Sequence, residues 1–267
     1  MITLTISDDV AEIALDAPER LNALGPDDLR ELSEAYAHAE QQRVRALVLR
    51  GEGRAFCAGR DISGVDPRTD DVHGYLGGLV QPLLERMSRF PAPTFAAAHG
   101  ACLGVGLGLL IATDVVYVAE TAKVGSPFAN LGATLDSGGH ALFFERLGAH
   151  RTLDLIYTGR LMSGAEAVAS GLFSRSFPDA EVLDATRAAA ASAARGATEA
   201  FLASKALVAE LRDERLGLWR SMAHENRVQA ALCGTDDYRE GFAAFQQKRR
   251  PEFTGGSRAQ RSSEVRA

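Results

Sequence analysis

Over the first fifteen residues, β-forming and polar side chains alternate in ITLTIS (2–7) and VAEIAL (10–15) on either side of Asp8-Asp9. That period predicts a two-stranded hairpin. From Pro26 to about Gln42 the period lengthens: Leu29, Leu32, Ala35, Tyr36 and Ala39 fall at helical spacing. Pro26 suits the first turn of that helix, and Asp27 and Asp28 suit the positive end of its dipole. RALVL (45–49) predicts a short buried strand, followed by a glycine-punctuated loop, a helix near 72–89 and a strand at 93–98 (PTFAAA). A second glycine-rich turn then leads to an apolar helix near 104–112, a strand at 114–119 and helices near 138–147 and 149–158. Ser163-x-x-Glu166 has the form of a capping box. Beyond about residue 180 the chain reads as mostly helical, and its polar ending, GGSRAQRSSEVRA, is expected to be disordered. The pattern gives an α/β core over 1–195, a helical region over 196–254 and a tail over 255–267.

Composition narrows the functional classes. With 46% hydrophobic and 24% charged residues, the 267-residue chain has enough apolar side chains for a sizeable core and is no candidate for disorder, collagen or coiled coil. The 29 basic residues are scattered among 35 acidic ones, for a net charge of −6, so no basic stripe points to nucleic acid. Cys57, Cys102 and Cys233 are too few and too dispersed for a disulfide framework or a metal site, which fits a reducing cytoplasm. Residues 1–15 lack the positively charged start of a secretory signal, so the first methionine is expected to begin the mature chain. The apolar run at 101–112 is too short to span a bilayer.

Two glycine-rich turns carry the candidate chemistry: AFCAGRDI (55–62) after the strand at 45–49, and HGACLGVGLG (99–108) after the strand at 93–98. The second opens a helix, whose first N–H groups are free to bind negative charge, so the pair could present converging amides. Alone, the GxGxG at 104–108 would equally permit close helix packing. A dinucleotide fold is excluded by the position of this run, the missing GxGxxG unit and the lack of a following acid; the P-loop Lys-Ser/Thr is missing too.

PERLNAL (18–24), GRAFCAGRDI (53–62), HGACLGVGLGL (99–109) followed by Asp114, and YREGFAAFQQKR (238–249) together resemble the crotonase (enoyl-CoA hydratase/isomerase) superfamily along nearly the whole chain. The resemblance implies a spiral of ββα repeats with a helical C-terminal region that builds a homotrimer or a dimer of trimers. It implies an acyl-CoA thioester as substrate, with CoA carried as part of that substrate and no separate cofactor or metal. The backbone N–H groups of Arg60 and Val105 take the two oxyanion-hole positions, which polarise the thioester carbonyl and stabilise an enolate. Val105 departs from the family's usual glycine. Arg20, Ala23, Ala58, Asp61 and Ile62 match positions that contact CoA, and Phe245 and Lys248 match residues that reach its nucleotide end.

Family hydratases use two carboxylates, and the matching positions here are Gly108 and Phe128, neither of which moves a proton. Asp136 stands where family isomerases and a dehalogenase branch place an acid. The resemblance therefore implies that Asp136 takes the proton α to the thioester and returns it farther along the acyl chain. An apolar pocket, with Phe128 and Phe143 as candidate walls, would raise its pKa, against the effect of a nearby helix N-terminus. The stretch Leu131-Gly132…Asp136-Ser-Gly-Gly resembles 1,2-epoxyphenylacetyl-CoA isomerases, with Leu135 in place of their usual proline. Four alternatives stay open. Asp136 could merely cap the helix that begins near Ser137. It could act as a nucleophile, although the base position of dehalogenating relatives holds Gln81. The chain could be hydratase-like, or it could bind acyl-CoA without turnover. His99 is expected to be a structural hydrogen-bonding residue and Cys57 a small packed one; His73 and His140 lie near the proposed site without an evident partner, and Trp219 is expected to pack among the C-terminal helices.

Overall fold

Strands β1 (Ile2–Ser7) and β2 (Val10–Leu15) pair antiparallel, and the turn between them places Asp8 (φ 49°) and Asp9 (φ 63°) in the left-handed region, as a tight hairpin requires. Helix α1 (Pro26–Gln41) follows, and all five of its expected core residues are buried. The computed structural model describes residues 1–66, 68–128, 133–214, 226–233 and 235–254, with Phe245 described by its backbone alone. Trp219 and the tail expected to be disordered lie outside these residues.

After β3 (Ala46–Gly51) the chain winds in repeated turns. Helix α2 (Val72–Tyr75), a π-helical turn (Leu76–Val80) and α3 (Gln81–Ser88) lead to β4 (Thr94–Ala98), β5 (Ala101–Leu103) and α4 (Val105–Ile111). The next turn contains β6 (Val115–Ala119), β7 (Lys123–Gly125), α5 (Gly139–Thr158), β8 (Met162–Ser163) and α6 (Gly164–Ala169). Strand β9 (Arg175–Phe177) then precedes α7 (Val182–Ala194), α8 (Thr198–Glu214), helical residues 226–232 (α9) and α10 (Asp236–Gln246). One strand of each turn enters a six-stranded sheet, ordered β1-β2-β3-β4-β6-β9, and the next enters a three-stranded sheet, ordered β5-β7-β8. The loop after β3 joins the smaller sheet through a bridge between Cys57 and Cys102. This is the expected α/β spiral of ββα repeats with a helical C-terminal region.

Strands β3 and β4 are apolar at nearly every position because both of their faces are covered. Leu47, Leu49, Ala96 and Ala98 join the main core, while Ala46, Val48 and Phe95 pack on Ala190 and Ala194 of α7. The small side chains of α7 let that helix lie close to the sheet. Each fully buried Leu or Val is worth about 1.5–3 kcal/mol, so this double cover holds the strand ends, and the turns beyond them, in place.

Some elements differ from expectation. The helix expected over 72–89 is interrupted by the π turn at Gly77-Gly78, where two residues of low helix propensity adjoin. Ser163 does cap α6, accepting the Glu166 N–H at 3.0 Å, but the Glu166 carboxylate turns to Arg160 at 2.7 Å, so only half of the capping box forms. Strands β5, β7 and β8 were not expected; they span only three, three and two residues, too few for a period.

Candidate active site

Both glycine turns lie beyond the C-terminal ends of parallel strands, and they touch each other. A side chain on Gly59 would come within 3.0 Å of the Leu103 carbonyl oxygen and 3.7 Å of the Gly104 Cα. Gly59 (φ 102°) and Gly104 (φ 52°) also adopt backbone conformations that other residues rarely take. Beside Gly59, the segment runs as a short strand against Leu24: the Leu24 N–H donates to the Gly59 carbonyl at 2.8 Å and the Asp61 N–H donates to the Leu24 carbonyl at 3.0 Å. Strand geometry then turns the intervening Arg60 N–H to the opposite side. Val105 is the first residue of α4, where an N–H has no intrahelical acceptor. Among the described residues neither amide has an acceptor. Two free donors thus sit on adjoining turns.

The first turn is anchored by Asn22, which is buried and left-handed (φ 57°). Its amide donates to the carbonyls of Glu52 (2.9 Å) and Ala55 (2.7 Å), and its oxygen accepts the Ala17 N–H (2.8 Å). Asn22→Ala would strand two buried backbone groups and one half-buried one and is expected to cost roughly 3 kcal/mol. Urea denaturation reads this as a lower midpoint; an unchanged midpoint would mean that the turn is held by other contacts.

Asp136 lies three residues before α5. The N-cap of that helix is Gly138, which has no side-chain cap bond, and the Asp136 carboxylate instead accepts the Ser137 hydroxyl at 2.8 Å. The helix-cap alternative therefore fails. Burial raises the pKa of Asp136 above the ordinary carboxylate value, opposed by the Ser137 hydrogen bond and by the charges of Arg60 and His140. The Arg60 guanidinium is itself held in a two-pronged pair with Asp70 (2.6 and 2.8 Å) and lies 4.1 Å over the Tyr75 ring, whose hydroxyl donates to the Leu24 carbonyl at 3.0 Å. Sequence reasoning assigned no role to the Arg60 side chain, Asp70, Tyr75 or Ser137, because their links are contacts across the fold rather than motifs.

Neither hydratase position carries an acid, and the space at both is filled. The Phe128 ring lies against Gly104, with its edge 3.2 Å from where a Cβ would stand, and a Cβ on Gly108 would be 2.6 Å from the Ser137 Cβ. Phe143, expected as a pocket wall, is instead buried in the main core together with Leu135. A cavity of about 570 Å³ opens beside Gly108 and Ser137, with Leu76, Val80, Leu84 and Ile111 as its apolar side.

Arg20, Ala23, Ala58, Asp61 and Ile62 come together: Arg20 pairs with Asp61 at 3.4 Å, the Ala23 N–H donates to the Arg20 carbonyl at 3.1 Å, and the Ala58 N–H donates to the Leu21 carbonyl at 3.0 Å. Ile62 follows directly and is 54% exposed, so it is available to a ligand. Among the described residues, no hydrogen bond or ion pair joins Lys248 or the Phe245 backbone to this group. Their segment is tied through the Phe253 carbonyl to Arg45, at the start of β3, whereas the two amides lie beyond its end. The His99 Nε2–H donates to the Gly53 carbonyl at 2.9 Å, the structural role expected of it. Cys57 is buried and its thiol is pushed up to about 12, chiefly by desolvation, which favours the neutral thiol. Among the described residues, no cluster of His, Cys, Asp and Glu could hold a metal ion, and no helix is long and apolar enough to cross a membrane.

The sequence model of the enoyl-CoA hydratase/isomerase family matches residues 5–256. A probable enoyl-CoA hydratase of Rhodobacter capsulatus is 36% identical, over 95% of this chain and 98% of its own length. The 1,2-epoxyphenylacetyl-CoA isomerase of Escherichia coli is 30% identical, over 92% and 95% respectively. The crystal structure of an enoyl-CoA hydratase from Bacillus anthracis superimposes with a TM-score of 0.87 at 27% identity, covering 95% of this chain and 99% of that one. With fold, glycine turns and full-length similarity in agreement, the chain belongs to the enoyl-CoA hydratase/isomerase family of the crotonase superfamily, whose members act on acyl-CoA thioesters.

Proposed function

We propose that this protein is an acyl-CoA isomerase that shifts or rearranges a double bond, or rearranges a ring epoxide, through a thioester enolate. The observation that carries the reading is the set of acids: Asp136 is half-buried beside the two glycine turns, while Gly108 and Phe128 leave no carboxylate at either hydratase position. The Arg60 and Val105 amides hold the thioester oxygen and take up the negative charge of the enolate. Asp136 removes the α-proton, carries it as a neutral acid and returns it to a more distal carbon, so that one carboxylate completes the cycle without water. The apolar cavity beside Ser137 receives the acyl group. Arg20, Ala23, Ala58, Asp61 and Ile62 form the rim that CoA crosses. Phe245 and Lys248, whose following segment bonds Arg45 through Phe253, serve the nucleotide end of CoA from a neighbouring subunit in a homotrimer or dimer of trimers. Exposed Phe144 and Tyr157 on α5 and Val208 on α8 supply apolar surface for such an assembly.

Hydration is the second reading, favoured by the names of relatives such as the Rhodobacter capsulatus protein. The test is to supply a 3-enoyl-CoA and follow the products by chromatography. Conversion to 2-enoyl-CoA without 3-hydroxyacyl-CoA supports the isomerase; 3-hydroxyacyl-CoA as the main product from 2-enoyl-CoA supports the hydratase.

The isomerase reading fixes the direction of the pH dependence. Asp136 works as a base only when ionised, so kcat/KM falls as pH drops through its pKa. Because burial raises that pKa, the acidic limb is expected at a higher pH than an ordinary aspartate would give. A profile flat down to the ordinary carboxylate range would contradict it.

A further inference from the structure

Ser137 occupies an unusual backbone position for a serine. Its φ is 52°, a left-handed conformation that a side chain with a Cβ adopts at a steric cost, and it precedes Gly138 (φ 84°) at the entry to α5. Helix capping does not account for it, because α5 takes no side-chain cap bond. Two contacts do. The hydroxyl donates to Asp136 Oδ1 at 2.8 Å, and the Ser137 Cβ stands 2.6 Å from where a Cβ on Gly108 would be, leaving room there for glycine alone. Ser137 therefore stands in the space next to α4 that a carboxylate at position 108 would have to enter. Among the described residues it is the one hydrogen-bond donor to the Asp136 carboxylate.

Resting on the reading of Asp136 as the proton shuttle, we propose that Ser137 is its positioning residue: the hydroxyl fixes Oδ1 and leaves Oδ2 to take the substrate α-proton. The proton passes from the α-carbon to Oδ2 and from there to the distal carbon, and the Ser137 O–H stays bonded to Oδ1 throughout, so no other group gains or loses a proton. The same side chain reserves the site for single-carboxylate chemistry by closing position 108. The charged and titratable groups around Asp136 are Arg60 with its partner Asp70 from the loop after β3, Tyr75 of α2 and His140 of α5. None of these replaces the hydroxyl as a hydrogen-bond donor to the carboxylate.

Ser137→Ala keeps the Cβ and the backbone demand while removing only the donor. With a 3-enoyl-CoA as probe, kcat is expected to fall by about 10-fold, KM to change little and the acidic limb of kcat/KM to move to higher pH, since a bond to the charged form has been lost. Titration of the Asp136 carboxyl by carbon-13 NMR, without substrate, is expected to show the same upward shift. Ser137→Asn, which tolerates the left-handed conformation and retains a donor, is expected to recover part of the loss, and it stands in if Ser137→Ala does not fold. A wild-type kcat and an unmoved limb in Ser137→Ala would overturn the positioning role, while an inactive Asp136→Asn beside it would leave the reading of Asp136 standing. Full activity of Asp136→Asn, or failure of the wild type to isomerise the probe, would sink that reading and this proposal with it.

Discussion

Asp136→Asn is expected to lower kcat for 3-enoyl-CoA isomerisation by about 10³-fold, within the range ascribed to a positioned general base. The amide has nearly the shape of the carboxylate, and its oxygen still accepts the Ser137 hydroxyl that now meets Oδ1. It cannot take up a proton at neutral pH, so only the amide donors and the bound geometry remain to act on the substrate. Stability moves the other way. Burial raises the Asp136 pKa, which means that the ionised carboxylate opposes folding above that pKa. Removing the charge at neutral pH is therefore expected to leave the urea midpoint equal or higher. A variant that loses activity while holding its midpoint separates chemistry from misfolding; a variant with wild-type turnover would remove Asp136 from the mechanism.

Val105→Pro is the second large effect. Proline removes the N–H and exchanges the buried valine side chain for a ring of similar size, and the first position of a helix is where it is best tolerated. The preceding Gly104 has φ 52° and ψ −120°, the mirror image of the extended conformation that residues before proline adopt, and glycine occupies both forms. α4 is expected to survive, while kcat/KM falls by about 10²- to 10³-fold, as for the loss of one oxyanion donor. Val105→Ala keeps the amide and is the control: it is expected to stay close to wild type, although the buried Val105 side chain gives up some packing. Equal loss in both variants would make the side chain rather than the amide the functional group, and wild-type activity in Val105→Pro would remove the amide from the mechanism.

The sequence made some parts of this arrangement legible and not others, for physical reasons. A 16-residue helix has room to show its period, so the buried face of α1 was readable residue by residue. Strands β3 and β4 were readable because burial on both faces demands an unbroken apolar run. The break between the two halves of α5 falls at Gly148 (φ 74°, ψ 170°), where the sequence places the boundary between helices. The small sheet was not readable, since Ala101–Leu103 or Met162–Ser163 is decided by what the spiral lays beside it. The two glycine turns could be located from their motifs, but that Gly59 and Gly104 touch is a product of the fold. For Asp136 the sequence favoured a proton shuttle and kept a helix cap as the alternative; the Gly138 cap and the hydrogen bond from Ser137 decide against the cap. Ser137 itself was within the motif, yet its proximity to Gly108 joins residues 29 positions apart and has no local signature.

The central claim, that one carboxylate moves a proton along an enolate held by two amides, is tested most directly in deuterated water. The protein is incubated with a 3-enoyl-CoA and, separately, with a 2-enoyl-CoA, and double-bond position and label are followed by NMR and mass spectrometry. Interconversion of the two isomers, absent in Asp136→Asn, is the predicted result, with deuterium entering only to the extent that protonated Asp136 exchanges with solvent before it returns the proton. Hydration without migration of the double bond, or tight binding with neither migration nor label, would contradict it.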